Sequence, residues 1–111
     1  AEICKRYRDA GVDIFHISSG GEGQVGANGG PEAKPGYQVD LAAEFKQLLK
    51  VPVIAVGLLD DYNAAQEVVL SGKADLVAIG RGMLRDPYWA VHAAKALDGG
   101  QKVPKQYERG Y

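Results

Sequence analysis

Ala74-Asp75-Leu76-Val77-Ala78-Ile79-Gly80-Arg81-Gly82-Met83-Leu84-Arg85-Asp86-Pro87 is the stretch on which the reading of this chain turns. Leu76–Ile79 is short and almost entirely apolar, the pattern of a strand buried on both faces of a parallel sheet. It stops at Gly80-Arg81-Gly82. Two glycines let the backbone turn sharply and bring its N–H groups close to a ligand, and the helical segment that follows would aim its positive end at that turn. A phosphate fits such a place. Arg81 adds a planar, permanently charged fork matched to phosphate oxygens. Gly-Arg-Gly taken alone serves equally to close a strand-to-helix turn with a solvated arginine, so the surrounding chain has to decide.

Outward from this stretch, the pattern repeats. On the N-terminal side, Asp60 or Asp61 caps a helix whose Ala65, Val68 and Val69 face inward, with Gly72 as its stop. Before it, Val53–Val56 is a second apolar strand, introduced by Pro52 and closed by Gly57. Asp40 is the expected N-cap of a helix burying Leu41, Phe45, Leu48 and Leu49, an i, i+4, i+7, i+8 stripe. Ala1–Ala10 reads as helix and Val12–Ile17 as the first strand. His16 within that strand reads as a packed core histidine. On the C-terminal side, Pro87 starts a last helix to about Leu97, packed through Trp89 and Val91 to Ala96, with His92 a surface or packing residue. Gly99-Gly100 ends it and leaves a polar tail, Gln101–Tyr111.

Between the first strand and its helix lies an irregular stretch, Ser18–Tyr37, with glycines at 20, 21, 23, 26, 29, 30 and 36 and prolines at 31 and 35. Unstructured loops longer than about 12–15 residues inside a compact domain are functional lids or disordered insertions. Its place at the C-terminal end of a strand favours a lid.

Strict alternation of helices with short apolar strands means βαβ crossovers and a parallel sheet. Gly11-Val12-Asp13-Ile14-Phe15-His16-Ile17-Ser18-Ser19-Gly20 also aligns with Lys73-Ala74-Asp75-Leu76-Val77-Ala78-Ile79-Gly80-Arg81-Gly82, placing an Asp before each strand and a small residue after it. Units of this kind build a doubly wound sheet or a (β/α)8 barrel. Glycines after two successive strands, Gly57 and Gly80, favour the barrel, which commonly holds a phosphate between its last two loops. The expected fold is α/β, the C-terminal part of a (β/α)8 TIM barrel with about three parallel strands. A barrel needs about 200–250 residues, more than the 111 here. Three strands alone would leave unpaired edges and exposed barrel-facing side chains. The chain is therefore expected to be a piece of a larger protein, or to complete its sheet by self-association.

Composition narrows the partners. The chain is 46% hydrophobic with a net charge of -1, the balance of a soluble, cytoplasmic protein with no broad basic surface for nucleic acid. No apolar run approaches the ~18 residues of a membrane span, and no leader opens the sequence. Cys4 is the only cysteine, which excludes an intrachain disulfide and a cysteine-cluster metal site. It reads as a small buried residue on a helix.

Ser18-Ser19-Gly20-Gly21, Pro35-Gly36-Tyr37-Gln38, Val56-Gly57, Ala74-Asp75-Leu76, Ile79-Gly80-Arg81, Leu84-Arg85-Asp86-Pro87 and the ending Gln106-Tyr107-Glu108-Arg109-Gly110-Tyr111 together resemble the NADH:flavin oxidoreductases of the old yellow enzyme family, in particular a bacterial NADPH dehydrogenase-like branch. The resemblance spans the chain and corresponds to the last third of a family member. Glu22–Lys34 departs from the family's usual loop. The resemblance implies an FMN-containing (β/α)8 barrel in which NAD(P)H reduces the flavin and the flavin passes hydride to the β-carbon of an α,β-unsaturated carbonyl compound, an enone or enal. It assigns the FMN phosphate to Gly57, Gly80 and Arg81, in agreement with the backbone-amide and guanidinium reading above. It assigns Arg109 to a neighbouring subunit's substrate site; Tyr107 and Tyr111 are expected to anchor the tail on that partner, since aromatics and Arg concentrate at interface cores. It assigns no catalytic residue here, because the family's substrate-polarising His pair or His/Asn pair lies earlier in the barrel. No match to that pair involves His16 or His92. The isolated chain is accordingly expected to be inactive and to bind FMN weakly or not at all. Two other readings stay open: another phosphate-binding barrel enzyme of isomerase or aldolase type, and a non-enzymatic βα module.

Overall fold

The computed structural model describes residues 1–19, 34–100 and 103–110. Residues 20–33 of the glycine-rich stretch expected to form a lid, and Tyr111 of the expected tail anchor, lie outside the described residues. The chain divides into two compact units, Ala1–Ile79 and Gly80–Tyr111.

The first unit runs α1 (Glu2–Asp9), β1 (Phe15–Ile17), α2 (Val39–Leu49), β2 (Val53–Val56), α3 (Tyr62–Leu70) and β3 (Leu76–Ala78). Its three strands lie in sequence order, β1-β2-β3, and both neighbouring pairs are parallel. Consecutive order is what a singly wound barrel arc requires, whereas a doubly wound sheet reverses direction at a switch point.

One face of this sheet carries the core. Phe15 and Ile17 of β1 and Val53 and Ala55 of β2 are buried with Val39, Ala42 and Leu49 of α2, Val68 of α3, and Leu59 and Ala74 from the connections. Alternate residues point away from the helices, and the register sets His16 beside Ile54 and Ile54 beside Leu76. His16 and Leu76 are exposed. This corrects two expectations: β3 is not buried on both faces within this chain, and His16 is not a packed core residue. Both expectations presume a cover on the second face, whereas α2, α3 and Cys4 of α1 pack on the first.

Other local differences have identifiable causes. β1 is shorter than Val12–Ile17 because Pro52 precedes its partner strand; the Phe15 N–H bonds the Pro52 carbonyl at 3.1 Å, while the Val12 N–H closes α1 on the Tyr7 carbonyl at 3.0 Å. Helix α2 takes Gln38, not Asp40, as its N-cap. The Val39 N–H already turns back to the Gly36 carbonyl at 2.9 Å, so Asp40 falls inside the first turn and meets Lys73 at 3.4 Å instead. Asp61 caps α3, its Oδ1 accepting the Ala64 N–H at 2.8 Å. Val69 of that helix is exposed, and Ala65 and Val68 do the packing.

Asp75 stitches the N-terminal edge of the sheet. Its Oδ2 accepts the Val53 N–H at 2.9 Å, its own N–H donates to the Val53 carbonyl at 3.0 Å, and its Oδ1 lies 3.2 Å from Lys46 Nζ. The Val53 hydrogen bond is the largest influence; it and, more weakly, the Lys46 ammonium hold the carboxyl below its ordinary value of 3.8 against the opposing cost of desolvation, which ranks between them. Because the folded-state value is the lower one, the stabilisation is complete above pH 3.8 and is lost as pH falls through the folded value. The side chain is 38% exposed, so solvent screening limits Asp75→Ala to a loss of about 1 kcal/mol at neutral pH. Urea denaturation should give a difference between wild type and variant that shrinks as pH falls below the ordinary aspartate range; a difference independent of pH would show that the charge plays no part.

The second unit holds α4 (Arg81–Arg85), α5 (Trp89–Ala96) and a 3₁₀ turn, Lys105–Gly110. Helix α5 begins two residues after Pro87 because Asp86 builds the entrance. Its Oδ1 accepts the Tyr88 N–H at 3.0 Å, its carbonyl accepts the Trp89 N–H at 3.0 Å, and its Oδ2 lies 2.6 Å from His92 Nδ1. His92 thus locks the start of its own helix. Ala93 is the buried residue of α5.

Candidate functional site

Parallel strands deliver the chain to one edge, so the segments leaving β1, β2 and β3 all start from the C-terminal rim of the sheet. Ser18-Ser19 leaves β1, Gly57-Leu58-Leu59 leaves β2, and Ile79 leads from β3 to Gly80. In α/β proteins with parallel strands this rim is where ligands bind.

The exit of β2 is tightly specified. Gly57 has φ +122, a backbone region that side-chain-bearing residues rarely enter, and a Cβ there would stand 3.0 Å from Gln38 Nε2 and 3.0 Å from Tyr37 Cε1. The Gly57 carbonyl accepts the Gly36 N–H at 2.9 Å. Leu58 follows at φ 51. The turn before α2 therefore wraps the turn after β2, and the glycine is required by both conformation and contact.

Gln38 joins this turn to the exit of β1. It is only 4% exposed. Its Oε1 accepts both the Ser19 N–H and, at 3.1 Å, the Ser19 hydroxyl. Sequence reasoning used Pro35-Gly36-Tyr37-Gln38 only as a family likeness and gave Gln38 no role. The sequence offers only a neutral polar residue at the entrance of an amphipathic helix, which does not by itself reveal the bonds to Ser19.

In the second unit, Gly80 is the N-cap of α4, and a Cβ on it would meet nothing within 4 Å. The Met83 and Leu84 N–H groups both bond the Gly80 carbonyl, at 3.0 and 3.2 Å, which leaves the Arg81 and Gly82 amides ahead of the first intrahelical bond. Arg81 is exposed, and no carboxylate pairs with it among the described residues. Helix α4 has only five residues, so its dipole is much smaller than the sequence reading supposed. Any grip on an anion here rests on the guanidinium and the turn amides.

The remaining candidates stand apart. Arg109 and Tyr107 are exposed on the 3₁₀ turn. Asp86 engages His92, while His16 lies on the uncovered sheet face. Among the described residues no group of three His, Cys, Asp or Glu side chains forms a metal site, and no helix is long and apolar enough to cross a membrane. Cys4 is half-buried on α1 against the core.

Comparison with known proteins agrees with this architecture. The chain is 41% identical over 107 residues to an NADPH dehydrogenase of Geobacillus thermodenitrificans, covering 96% of this chain and 30% of that protein. It is 40% identical over 100 residues to an NADPH dehydrogenase of Clostridium acetobutylicum, covering 90% and 28%. It is 39% identical over 109 residues to that of Bacillus subtilis, covering 98% and 31%. The chain thus spans about three tenths of the length of these curated relatives. Residues 22–99 match the family described as NADH:flavin oxidoreductase / NADH oxidase. With its consecutive parallel βα units and that match over most of its length, this chain belongs to the NADH:flavin oxidoreductase / NADH oxidase family, as an arc of a (β/α)8 barrel.

Proposed function

We propose that this chain is the C-terminal portion, the last three βα units and tail, of a cytoplasmic FMN-dependent NAD(P)H oxidoreductase that reduces activated C=C bonds of α,β-unsaturated carbonyl compounds. Its contribution is the grip on the FMN phosphate. One observation carries this reading: two adjacent parallel strands reach the same edge of the sheet, one followed by Gly57 and the other by Gly80-Arg81.

The residues present fit the group. Gly80 faces open space where a side chain would stand, so a ligand can approach its backbone. Arg81 offers an exposed fork of donors to phosphate oxygens, with no carboxylate partner among the described residues. The Gly57 turn is held in one shape by Gly36, Tyr37 and Gln38. FMN, the family's cofactor, supplies hydride transfer between NAD(P)H and the alkene when bound. This chain orients that chemistry and supplies no catalytic residue. Arg109, exposed on the tail with Tyr107, reaches a neighbouring subunit's substrate site in a homo-oligomer, where arginine and tyrosine are favoured contacts.

The full-length protein that contains this segment should purify yellow, with flavin absorbance, and oxidise NADPH faster when cyclohexenone is added. The 111-residue chain alone should do neither, since the ring-facing part of the site lies elsewhere in the barrel. A colourless full-length protein that fails to take up FMN, or NADPH oxidation indifferent to the enone, would sink this reading.

A further inference from the structure

We infer that Gln38 is a positioning residue for the flavin phosphate, acting through the turn at Gly57; this rests on the phosphate-grip reading above. A glutamine nine-tenths buried at the end of a sheet is costly unless its amide is fully used. Here the oxygen end is hydrogen-bonded and the nitrogen end packs beside the Gly57 turn. Oε1 takes two bonds from Ser19, which leaves β1, and Nε2 lies against Gly57, which leaves β2, at 3.0 Å from the position a Cβ would occupy.

A leucine would fill the same volume without needing partners, so packing alone does not account for an amide at this position. What the amide adds is a hydrogen-bonded hold on the exit of β1, made by a side chain that packs against the exit of β2. Gly36 holds the far side of the same turn through its 2.9 Å bond to the Gly57 carbonyl. Between them they leave the Gly57 peptide, at φ +122, little room to reorient. Backbone amides held in one arrangement bind an anion without first paying to order themselves. Gln38 therefore contributes to phosphate affinity without touching the phosphate.

The test compares FMN with riboflavin, which has the same ring and no phosphate. Apoprotein of the full-length enzyme is titrated with each by flavin fluorescence, and the ratio of the two Kd values isolates the phosphate grip. Gln38→Leu should lower that ratio about tenfold, with the riboflavin Kd moving less than about twofold. Gln38→Glu keeps oxygens for Ser19, removes the donor beside Gly57, and should lower the ratio as well, which guards against a leucine variant that fails to fold. A wild-type ratio near one would overturn the phosphate-grip reading and this inference with it. A large wild-type ratio that both variants preserve, or equal losses for FMN and riboflavin, would overturn the role of Gln38 alone and leave the grip standing.

Discussion

Replacing Arg81 by alanine in the full-length protein is expected to weaken FMN binding by about a hundredfold while riboflavin binding stays within about twofold. The guanidinium is exposed, carries a permanent charge and has no carboxylate partner among the described residues, so its donors are uncommitted before a ligand arrives. A charge-assisted, two-pronged contact is worth about 1.5–3 kcal/mol, and that range contains a hundredfold change. Arg81→Lys keeps the charge and loses the fork, and should recover only part of the affinity. The loss should shrink as salt is raised, because an exposed pair is screened. Fluorescence titration of the apoprotein with FMN and riboflavin measures all three effects. An FMN Kd unmoved by Arg81→Ala would remove the guanidinium from the site and leave only glycine turns.

Gly57→Ala should destabilise the full-length protein by about 3–4 kcal/mol, whether or not FMN is present. Two costs add. Alanine at φ +122 is strained. Its methyl would also press on Gln38 Nε2 and the Tyr37 ring at 3.0 Å. Gln38 cannot withdraw without giving up its bonds to Ser19. Gly11→Ala separates the terms, since Gly11 has φ +110 and nothing within 4 Å of the same point. That variant carries the strain alone, about 1–2 kcal/mol. Urea midpoints of the two variants against wild type give the comparison. Equal losses would mean that the wall formed by Tyr37 and Gln38 yields freely, and the basis for assigning Gln38 a positioning role would weaken with it.

The two glycine-marked exits were legible in the chain, but for different reasons than the structure supplies. Gly57 is expected from its position to close the second strand beside a phosphate-holding loop, and in the fold the space beside it is filled by Tyr37 and Gln38. Gly80 does face open space, as the sequence reading required. Arg81 is exposed, while the dipole expected behind it belongs to a helix of only five residues. Gln38 was missed because a lone polar residue carries no periodicity; its importance comes from Ser19, nineteen positions away.

Periodicity and punctuation in the sequence were enough to determine that helices and short apolar strands alternate, that the sheet is parallel, and that Val53–Val56 is its middle strand, observed with the same bounds. These are local properties: branched apolar runs favour strands, and proline and glycine end elements wherever they stand. Tertiary structure alone decided that β1 starts at Phe15, that Asp40 caps nothing, that His16 and Leu76 lie on an uncovered face, and that Gln38 accepts from Ser19 at the exit of β1. Each of those depends on which backbone partner or neighbouring side chain arrives from elsewhere in the fold, and no pattern confined to a few adjacent residues encodes it.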